Sequence, residues 1–385
     1  MLFSIIQLYL SFEYQTSHMS LAVATSLLLI LILIEVGFLV WVKKERIPFH
    51  EIVFNLNSGH VLLWVFRGVE VVVFRWININ YDLGWLDSFS SVGVWIFTFV
   101  AWDFCFYWLH RLHHSYKSLW AVHVVHHEGE HFSLSLGVRN SWYSSLTSIP
   151  FFLLLAIVGV PVEVFIGIGS IHYFIQFYNH NRVVNNSGWL EYIMITPSHH
   201  RVHHGYNAPY LDKNFGGTLV IWDKLFGTFQ KKLKDTPIKY GTTDHLKSDN
   251  ALVASNVPIY KLFGIQLPSL KSRKFQLSGA IEFSAGILLF CFLLLYIAKE
   301  HVWPTTQLSY LFSLIFLGTL ACGGLTEGKL WGVVSWVVLS IAGLVFLLSL
   351  PSPEIFLVVI TALWGVHAVG TTLALLRLQK GQSLK

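Results

Sequence analysis

Residues 110–114 read His110-Arg111-Leu112-His113-His114, and they follow directly on an apolar run over about residues 89–109. An apolar run of about 20 residues is long enough to cross a bilayer as a helix. Histidines four residues apart lie on one face of a helix, so His110 and His114 can bind the same metal ion. The stretch therefore predicts a membrane helix whose last turn carries metal ligands.

Closely spaced histidines recur in two HxxHH patterns, over residues 123–127 and 200–204, and thirteen of the nineteen histidines lie between residues 110 and 204. At helical pitch, the three histidines of each pattern can aim at one point. Imidazole binds iron, zinc, copper and nickel well, and eight or nine such ligands are too many for one tetrahedral ion. Two metal ions that share these histidines are the simplest interpretation.

The composition is that of a membrane protein. Hydrophobic residues make up 54% of the chain and charged residues 12%, with a mean hydropathy of +0.58. A soluble domain has about twice that share of charged residues. The net charge of +5 does not indicate nucleic-acid binding, because the basic groups flank apolar runs. The clearest runs are Leu21–Val42, Gly279–Ala298, Leu308–Leu325, Leu330–Leu350 and Ile355–Leu376.

Basic residues beside the apolar runs predict a topology. The positive-inside rule places the groups at 43–46, 271–274 and 377–385 in the cytoplasm. About nine spans satisfy this placement, and all histidine patterns then face the cytoplasm. The predicted fold is an all-α, polytopic integral membrane protein with a cytoplasmic helical cap that carries a histidine-ligated di-metal centre. The five spans before the C-terminal four lie at about 21–42, 52–77, 89–109, 143–159 and 162–179.

Four segments follow from this layout. Residues 1–92 are predicted to form N-terminal membrane spans, and residues 93–230 a catalytic domain. Residues 231–278 are predicted to be a cytoplasmic connector, and residues 279–385 a four-span membrane region with no motif to which chemistry can be assigned.

Histidines in a membrane protein can also have other roles. Isolated histidines are predicted to be hydrogen-bonded packing residues, and these are His18, His50, His60, His245, His301 and His367. A metal transporter or sensor is the alternative for the three patterns. Transporters place ionisable ligands near the middle of the bilayer, whereas these patterns lie beside span ends. A fixed di-metal centre is therefore predicted.

These motifs resemble the fatty acid hydroxylase superfamily of membrane-bound, non-haem di-iron oxygenases and desaturases. The stretches that carry the resemblance lie within about residues 95–230, and they are most similar to the alkylglycerol monooxygenase branch. They read Trp-Asp-Phe-Cys-Phe-Tyr-Trp-Leu-His-Arg over 102–111, Thr-Pro-Ser-His-His-Arg-Val-His-His-Gly over 196–205, Asp-Lys-Asn-Phe over 212–215 and Ile-Trp-Asp-Lys-Leu-Phe-Gly-Thr-Phe over 221–229.

The resemblance implies nine metal ligands: His110, His114, His123, His126, His127, His180, His200, His203 and His204. Gln176 stands where related hydroxylases have a histidine, and His199 precedes the third pattern, so both are less certain ligands. His113 is not needed by the pattern and is predicted, like His199, to lie in the next layer around the metals.

Carboxylates are expected to orient the ligand imidazoles by accepting their remaining N–H groups. Asp103 lies seven residues before His110, two helical turns along the same face. Asp212 and Asp223 are further candidates, although either side chain can equally cap a turn.

The resemblance implies a membrane-bound, O2-dependent di-iron monooxygenase that uses two Fe ions and hydroxylates a lipid C–H. The carbon next to the ether oxygen of alkylglycerols is the expected target, and the products are an aldehyde and glycerol. Neither a cytochrome b5 haem motif nor a dinucleotide fingerprint occurs, so the electrons are expected to come from an external donor. The resemblance implies that this donor is tetrahydrobiopterin. The alternative is a sterol or fatty-acyl hydroxylase or desaturase with a separate redox partner. The expected location is the inner membrane in a bacterium, or the endoplasmic reticulum in a eukaryote.

Overall fold

The computed structural model describes residues 17–243, 248–265, 277–300, 302–350 and 354–379. The described residues are helical and contain no β-strand, and only Met194 and Leu219 form an isolated antiparallel bridge. The predicted all-α class is confirmed.

The helices are named in chain order: α1 Ser17–Gly37, α2 Phe49–Asn57, α3 His60–Tyr81, α4 Ser91–Ser115, α5 Lys117–His127, α6 Ser144–Val158, α7 Val162–Asn179, α8 Pro197–His203, α9 Ile221–Leu225, α10 Ala251–Leu262, α11 Gly279–Lys299, α12 Thr305–Thr326, α13 Leu330–Ser349 and α14 Ile355–Gln379. A π-helical turn, Phe38–Val42, continues α1, and two 3₁₀ turns cover Leu134–Val138 and Gly188–Tyr192.

The described residues divide into two compact units. The first unit consists of residues 62–243, and the second consists of residues 17–61 and the described residues from 248 onward. The segment predicted over 1–92 is therefore shared between the units.

The chain is a multi-pass membrane protein. Six helices of the described residues are long and apolar enough to cross a membrane: Val23–Val42, Ser91–Ser115, Gly279–Lys299, Thr305–Thr326, Leu330–Ser349 and Ile355–Arg377. The helix α6 is apolar but shorter, and α7 is not one of the six. The count of nine spans therefore stays a prediction.

The predicted second span, over about 52–77, is wrong as one continuous helix. The structure has two helices, α2 and α3, which are separated at Ser58 and Gly59. A Gly/Ser pair is a frequent position for a sharp kink or break in a helix.

Residues 159–161 form the turn between α6 and α7. Helix α6 ends at Gly159, whose φ of 99° lies in the left-handed region that favours glycine. The amide of Val160 donates to the carbonyl of Leu155 over 3.0 Å, and α7 begins directly after Pro161. This turn brings the end of α7, and with it His180, back toward the histidine-rich end of α4.

An aromatic core supports these helices in the first unit. The ring of Trp102 stacks on Phe152 at 4.4 Å, and Phe74 stacks on Phe165 at 4.0 Å. All four rings are buried. Each aromatic pair of this kind stabilises a core by about 0.5–1.5 kcal/mol in addition to the free energy gained from burying its surface. These pairs hold α3, α4, α6 and α7 together beside the histidines.

Helices α11 to α14 pack together in the second unit. A Cβ added to Gly332 of α13 would lie 2.1 Å from the carbonyl carbon of Gly324 in α12, so this crossing requires glycine. Such close approach between small residues is typical of membrane helices. His367 of α14 accepts a hydrogen bond from the Trp336 indole over 2.8 Å, and its other ring nitrogen lies 2.8 Å from the Ser284 hydroxyl. His367 is thus the satisfied packing residue that was predicted.

Candidate metal centre

All nine histidines implied by the resemblance come together in two groups. Within each group, the ligand nitrogens lie within 4.8 Å of one another. The five-histidine group consists of His110, His114, His123, His127 and His203. The four-histidine group consists of His126, His180, His200 and His204.

Each HxxHH pattern is divided between the two groups, so the expectation that its three histidines aim at one point is wrong. In the first pattern, His123 and His127 belong to the five-histidine group and His126 to the other. The second pattern divides in the opposite sense, because only its middle histidine, His203, joins the five-histidine group. Residues four apart share a helix face, whereas adjacent residues are rotated by about 100°. The short helices α5 and α8 therefore each contribute histidines to both groups.

Backbone carbonyls orient two rings of the five-histidine group. Nδ1 of His110 lies 2.9 Å from the Phe215 carbonyl, and Nδ1 of His203 lies 2.9 Å from the Lys213 carbonyl. A carbonyl only accepts, so each Nδ1 carries the hydrogen and each Nε2 presents a lone pair. The loop over residues 213–222, called the orienting loop below, thus directs two ligands into the group.

The same arrangement occurs in the four-histidine group. Nδ1 of His126 donates to the Arg139 carbonyl over 2.9 Å, and Nδ1 of His180 donates to the Gln176 carbonyl over 2.8 Å. Both Nε2 atoms are therefore unprotonated, and yet they lie only 3.2 Å apart. No proton is available to join these two lone pairs, so a cation is what makes their approach favourable.

Burial keeps the imidazoles neutral. Desolvation lowers the pKa of His126 to about 4, and it holds the pKa of His127, His203 and His204 well below the usual 6.5. At neutral pH, the groups therefore offer unprotonated nitrogens. Five and four nitrogen donors suit two ions of the iron-to-zinc series, which bind imidazole well.

Asp212 contacts a histidine of the five-histidine group directly. Its carboxylate lies 3.2 Å from Nδ1 of His114 and accepts the hydrogen of that nitrogen. Nε2 of His114 is consequently a lone pair, and it is buried without a protein partner. Its orientation toward the rest of the group is what a metal ligand requires.

Asp103 does not contact the ligand histidines, and this corrects the predicted role. Its carboxylate accepts hydrogen bonds from the amides of Thr218 and Leu219 and from the Trp222 indole, at 2.8, 2.9 and 2.9 Å. Seven residues of helix correspond to about 10 Å along the axis, which is too far for a carboxylate to reach His110. Asp103 instead fixes the far end of the orienting loop to α4.

Asp223 also acts on the orienting loop rather than on a ring. Its carboxylate accepts from the amides of Phe215 and Gly216, each over 2.8 Å, and from the Thr228 hydroxyl over 2.7 Å. The carbonyl of Phe215 is the group that orients His110. Asp223 therefore caps a turn, which is the alternative predicted for it, and these hydrogen bonds reach backbone amides and a hydroxyl rather than a histidine ring.

His199 and His113 belong to neither group. The Gln176 side chain lies against the backbone of Gly217, where an added Cβ would approach its Nε2 to 2.5 Å. His199 is buried with its ring 5.2 Å from Phe229. His113 lies beside the five-histidine group, because its ring stacks on His123 at 5.0 Å and its Nε2 is 2.9 Å from the Thr147 hydroxyl.

Of the isolated histidines, His50 is exposed and His367 is buried and hydrogen-bonded. The side chains of His18, His60, His245 and His301 lie outside the described residues.

The carbonyl groups that orient four ligands were not foreseen from the sequence. A carbonyl is present in every residue, so its position relative to a ring carries no signal in the letters. Arg139 is the most informative case: its carbonyl orients His126, while its guanidinium binds the Val125 carbonyl and lies 3.3 Å from Glu128. An arginine so close to a histidine pattern was the available sequence signal.

The helices and the two histidine groups define a multi-pass membrane protein with a histidine-rich site that could hold metal ions. Residues 95–228 match the model of the fatty acid hydroxylase family.

Several relatives carry names of lipid-modifying enzymes. The human alkylglycerol monooxygenase is 35% identical over 58% of this chain and 50% of its own length, and that of Xenopus tropicalis is 40% identical over 46% and 39%. The ornithine lipid hydroxylase OlsE of Rhizobium tropici is 33% identical over 53% of this chain and 63% of its length. The chain spans about half the length, or less, of the alkylglycerol monooxygenases it matches. No solved structure matches the chain.

Proposed function

We propose that this protein is a membrane-bound di-iron monooxygenase that hydroxylates a lipid C–H with O2. The substrate proposed is an alkylglycerol, attacked at the carbon next to the ether oxygen. The resulting hemiacetal breaks down to an aldehyde and glycerol. The observation that carries the proposal is the pair of unprotonated nitrogens of His126 and His180, 3.2 Å apart, within a fatty acid hydroxylase domain.

The chain has three tasks in this reaction. The nine histidines would hold two iron ions, which when bound supply the activation of O2. The orienting loop, Asp212 and Arg139 keep the rings in the orientation that presents a lone pair. The buried position of the groups excludes bulk water, which protects a reactive oxidant from side reactions.

The proposal includes an external electron donor. Tetrahydrobiopterin is the donor proposed, by the resemblance to alkylglycerol monooxygenases. We further propose that the histidine groups face the cytoplasm, where a soluble pterin and its recycling system would have access to them.

A single assay tests the proposal. Purified, iron-loaded protein in lipid nanodiscs is given 1-O-hexadecylglycerol, O2 and either reduced pterin or a cytochrome b5 system, and fatty aldehyde is measured. We expect aldehyde with the pterin and none in the absence of O2. Aldehyde with cytochrome b5 alone would replace the proposed donor, and no aldehyde with either donor would overturn the proposed substrate.

The similarity to OlsE favours a second candidate, hydroxylation of another membrane lipid at the same centre. The two candidates differ in the product. An alkylglycerol substrate is cleaved, whereas a hydroxylated acyl chain gains one oxygen atom and stays intact. Mass spectrometry of total lipid extracts after incubation with 18O2 separates the two outcomes.

A further inference from the structure

An apolar cavity of about 150 Å³ lies between α7 and the segment over residues 187–196. Six of its lining side chains are hydrophobic or aromatic: Phe174, Ile175, Tyr178, Leu190, Met194 and Ile195. No acidic, basic or histidine side chain lines it. An engineered cavity of roughly this volume and character takes up benzene, so this cavity suits uncharged hydrocarbon.

The walls of the cavity continue into the four-histidine group. Asn179, on one wall, directly precedes His180. Thr196, on the other wall, accepts the amide hydrogen of His200 through its carbonyl over 2.9 Å. Each wall therefore ends at a histidine of the same group, and a chain bound in the cavity lies beside that group.

The outer rim of the cavity exposes large apolar side chains. Phe174 is 52% exposed and Tyr178 is 41% exposed. The neighbouring Trp189 and Tyr192 are 69% and 70% exposed. Tryptophan and tyrosine are enriched where a membrane protein meets the lipid–water interface. A rim of this composition indicates that the cavity is entered from the lipid.

We propose that this cavity binds the hydrocarbon chain of the lipid substrate next to the four-histidine group. This rests on the proposed function for the identity of the lipid, but not for the site itself. The volume is well below the roughly 300–1,000 Å³ of a site that encloses a whole drug-sized ligand. The cavity therefore takes only part of the chain, and the remainder stays in the bilayer.

Photo-crosslinking of a chain-labelled lipid tests the site without requiring turnover. The iron-loaded, full-length protein in nanodiscs is irradiated with 1-O-alkylglycerol that carries a diazirine within the chain, and the labelled peptides are identified by mass spectrometry. We expect labelling in the two walls, over residues 174–179 and 190–196. In Met194→Trp, the indole fills the cavity, and exclusion of even two methylene groups should weaken binding by roughly tenfold.

Ile193→Trp is the matched control, because it adds the same side chain to the adjacent, outward-facing position. We expect its labelling to stay within about twofold of the unchanged protein, as for a surface substitution. Met194→Ala removes volume instead of adding it, and we expect it to accept a methyl-branched chain that the unchanged protein labels poorly. This variant keeps the test decisive if Met194→Trp does not fold.

The outcomes separate the cavity from the proposed function. Labelling of both walls that Met194→Trp abolishes supports the cavity, even if no aldehyde forms and the proposed substrate fails. Aldehyde formation together with labelling elsewhere overturns the cavity and leaves the proposed function standing. Equal labelling in Met194→Trp and Ile193→Trp also overturns it.

Discussion

Two adjacent histidines of α5 provide a matched pair of substitutions, because they belong to different groups. His126→Ala removes one of four ligands, and His127→Ala removes one of five. We expect each variant to lose one of the two bound ions and all turnover, while the other ion stays bound. Metal analysis by mass spectrometry, with X-ray absorption spectroscopy on the ion that remains, checks this result.

His50→Ala is the control for this pair, because its side chain is exposed. We expect unchanged metal content and turnover. A variant of either α5 histidine that kept both ions and normal turnover would contradict the division into two groups.

His367→Ala tests the distinction between packing and ligand histidines. The side chain bonds to Trp336 and Ser284 and belongs to neither group. Its loss leaves buried polar groups unsatisfied, which costs about 1–3 kcal/mol of stability. We expect a lower midpoint of thermal unfolding in detergent with both ions retained. Loss of a metal ion at unchanged stability would contradict the role of His367 as a packing residue.

His113→Ala is expected to give reduced but measurable turnover. His113 supports the ring of His123 by stacking and bonds to Thr147, but it lies outside both groups. Removing a residue that orients a ligand typically costs 10–100-fold in metal affinity or activity. A metal titration with Co²⁺, followed by its absorption spectrum, distinguishes weaker binding from a missing ligand.

The orienting loop determines the direction of two ligand rings, and its own position depends on two carboxylates. Asp223→Asn replaces an acceptor of two amide hydrogens by a side chain with only one carbonyl oxygen. We expect turnover to fall by about 10–100-fold, as for other residues that orient ligands. The visible spectrum of a Co²⁺-substituted sample should shift, because His110 is less well oriented.

Asp212→Asn is the control within the same loop region, because Asp212 is exposed and an amide oxygen can still accept from His114. We expect a smaller loss of turnover than in Asp223→Asn. The reverse order would mean that direct contact with a ring matters more than the position of the loop.

The pH dependence of the metal-free protein follows from the burial of helices α5 and α8. In the folded state, the pKa of His126 is lowered from 6.5 to about 4. Between these values, the unfolded chain binds protons that the folded chain does not, so the free energy of unfolding falls as the pH falls from 6.5 to 4. We expect a lower thermal midpoint at pH 5 than at pH 7, and a smaller difference in His126→Ala.

Sidedness is a property of the whole chain, and it remains a prediction. Among the described residues between Ser248 and Thr305, one helix, α11, is long and apolar enough to cross a membrane. We expect Ser248→Cys and Thr305→Cys to react with a membrane-impermeant maleimide from opposite sides. Two of the three native cysteines, Cys105 and Cys322, are buried, which limits the background. Labelling of both positions from one side would contradict the predicted topology; a further predicted cytoplasmic position, Ser383, lies outside the described residues.

Metal content is the second test on the whole protein. We expect two metal ions per chain, both iron in protein produced with ample iron. Zinc in an overexpressed sample does not contradict this, because metals of this series compete for the same imidazoles. One ion or none in a fully active sample would contradict the di-metal centre.

The sequence by itself determined the class of the protein and the set of residues that form the centre. Apolar runs long enough to cross a membrane are visible in the order of the residues, and the low share of charged residues is visible in the composition. The spacing within the histidine patterns, with the resemblance, identified all nine histidines that the structure brings together. Residues three and four apart are neighbours in any α-helix, so the spacing in the sequence predicts which side chains lie side by side.

Only the tertiary structure decided how the nine histidines divide into two groups. It also decided which carbonyl and carboxylate oxygens orient their rings. His180 meets His126 across 54 residues, and the Phe215 carbonyl meets His110 across 105. Contacts this distant depend on the packing of α4, α5, α7 and α8, not on local pitch. The same is true of Asp103, whose helical spacing pointed to His110 although its partners lie in the orienting loop. Spacing along a helix specifies a direction, whereas a hydrogen bond also requires a distance that the fold alone sets.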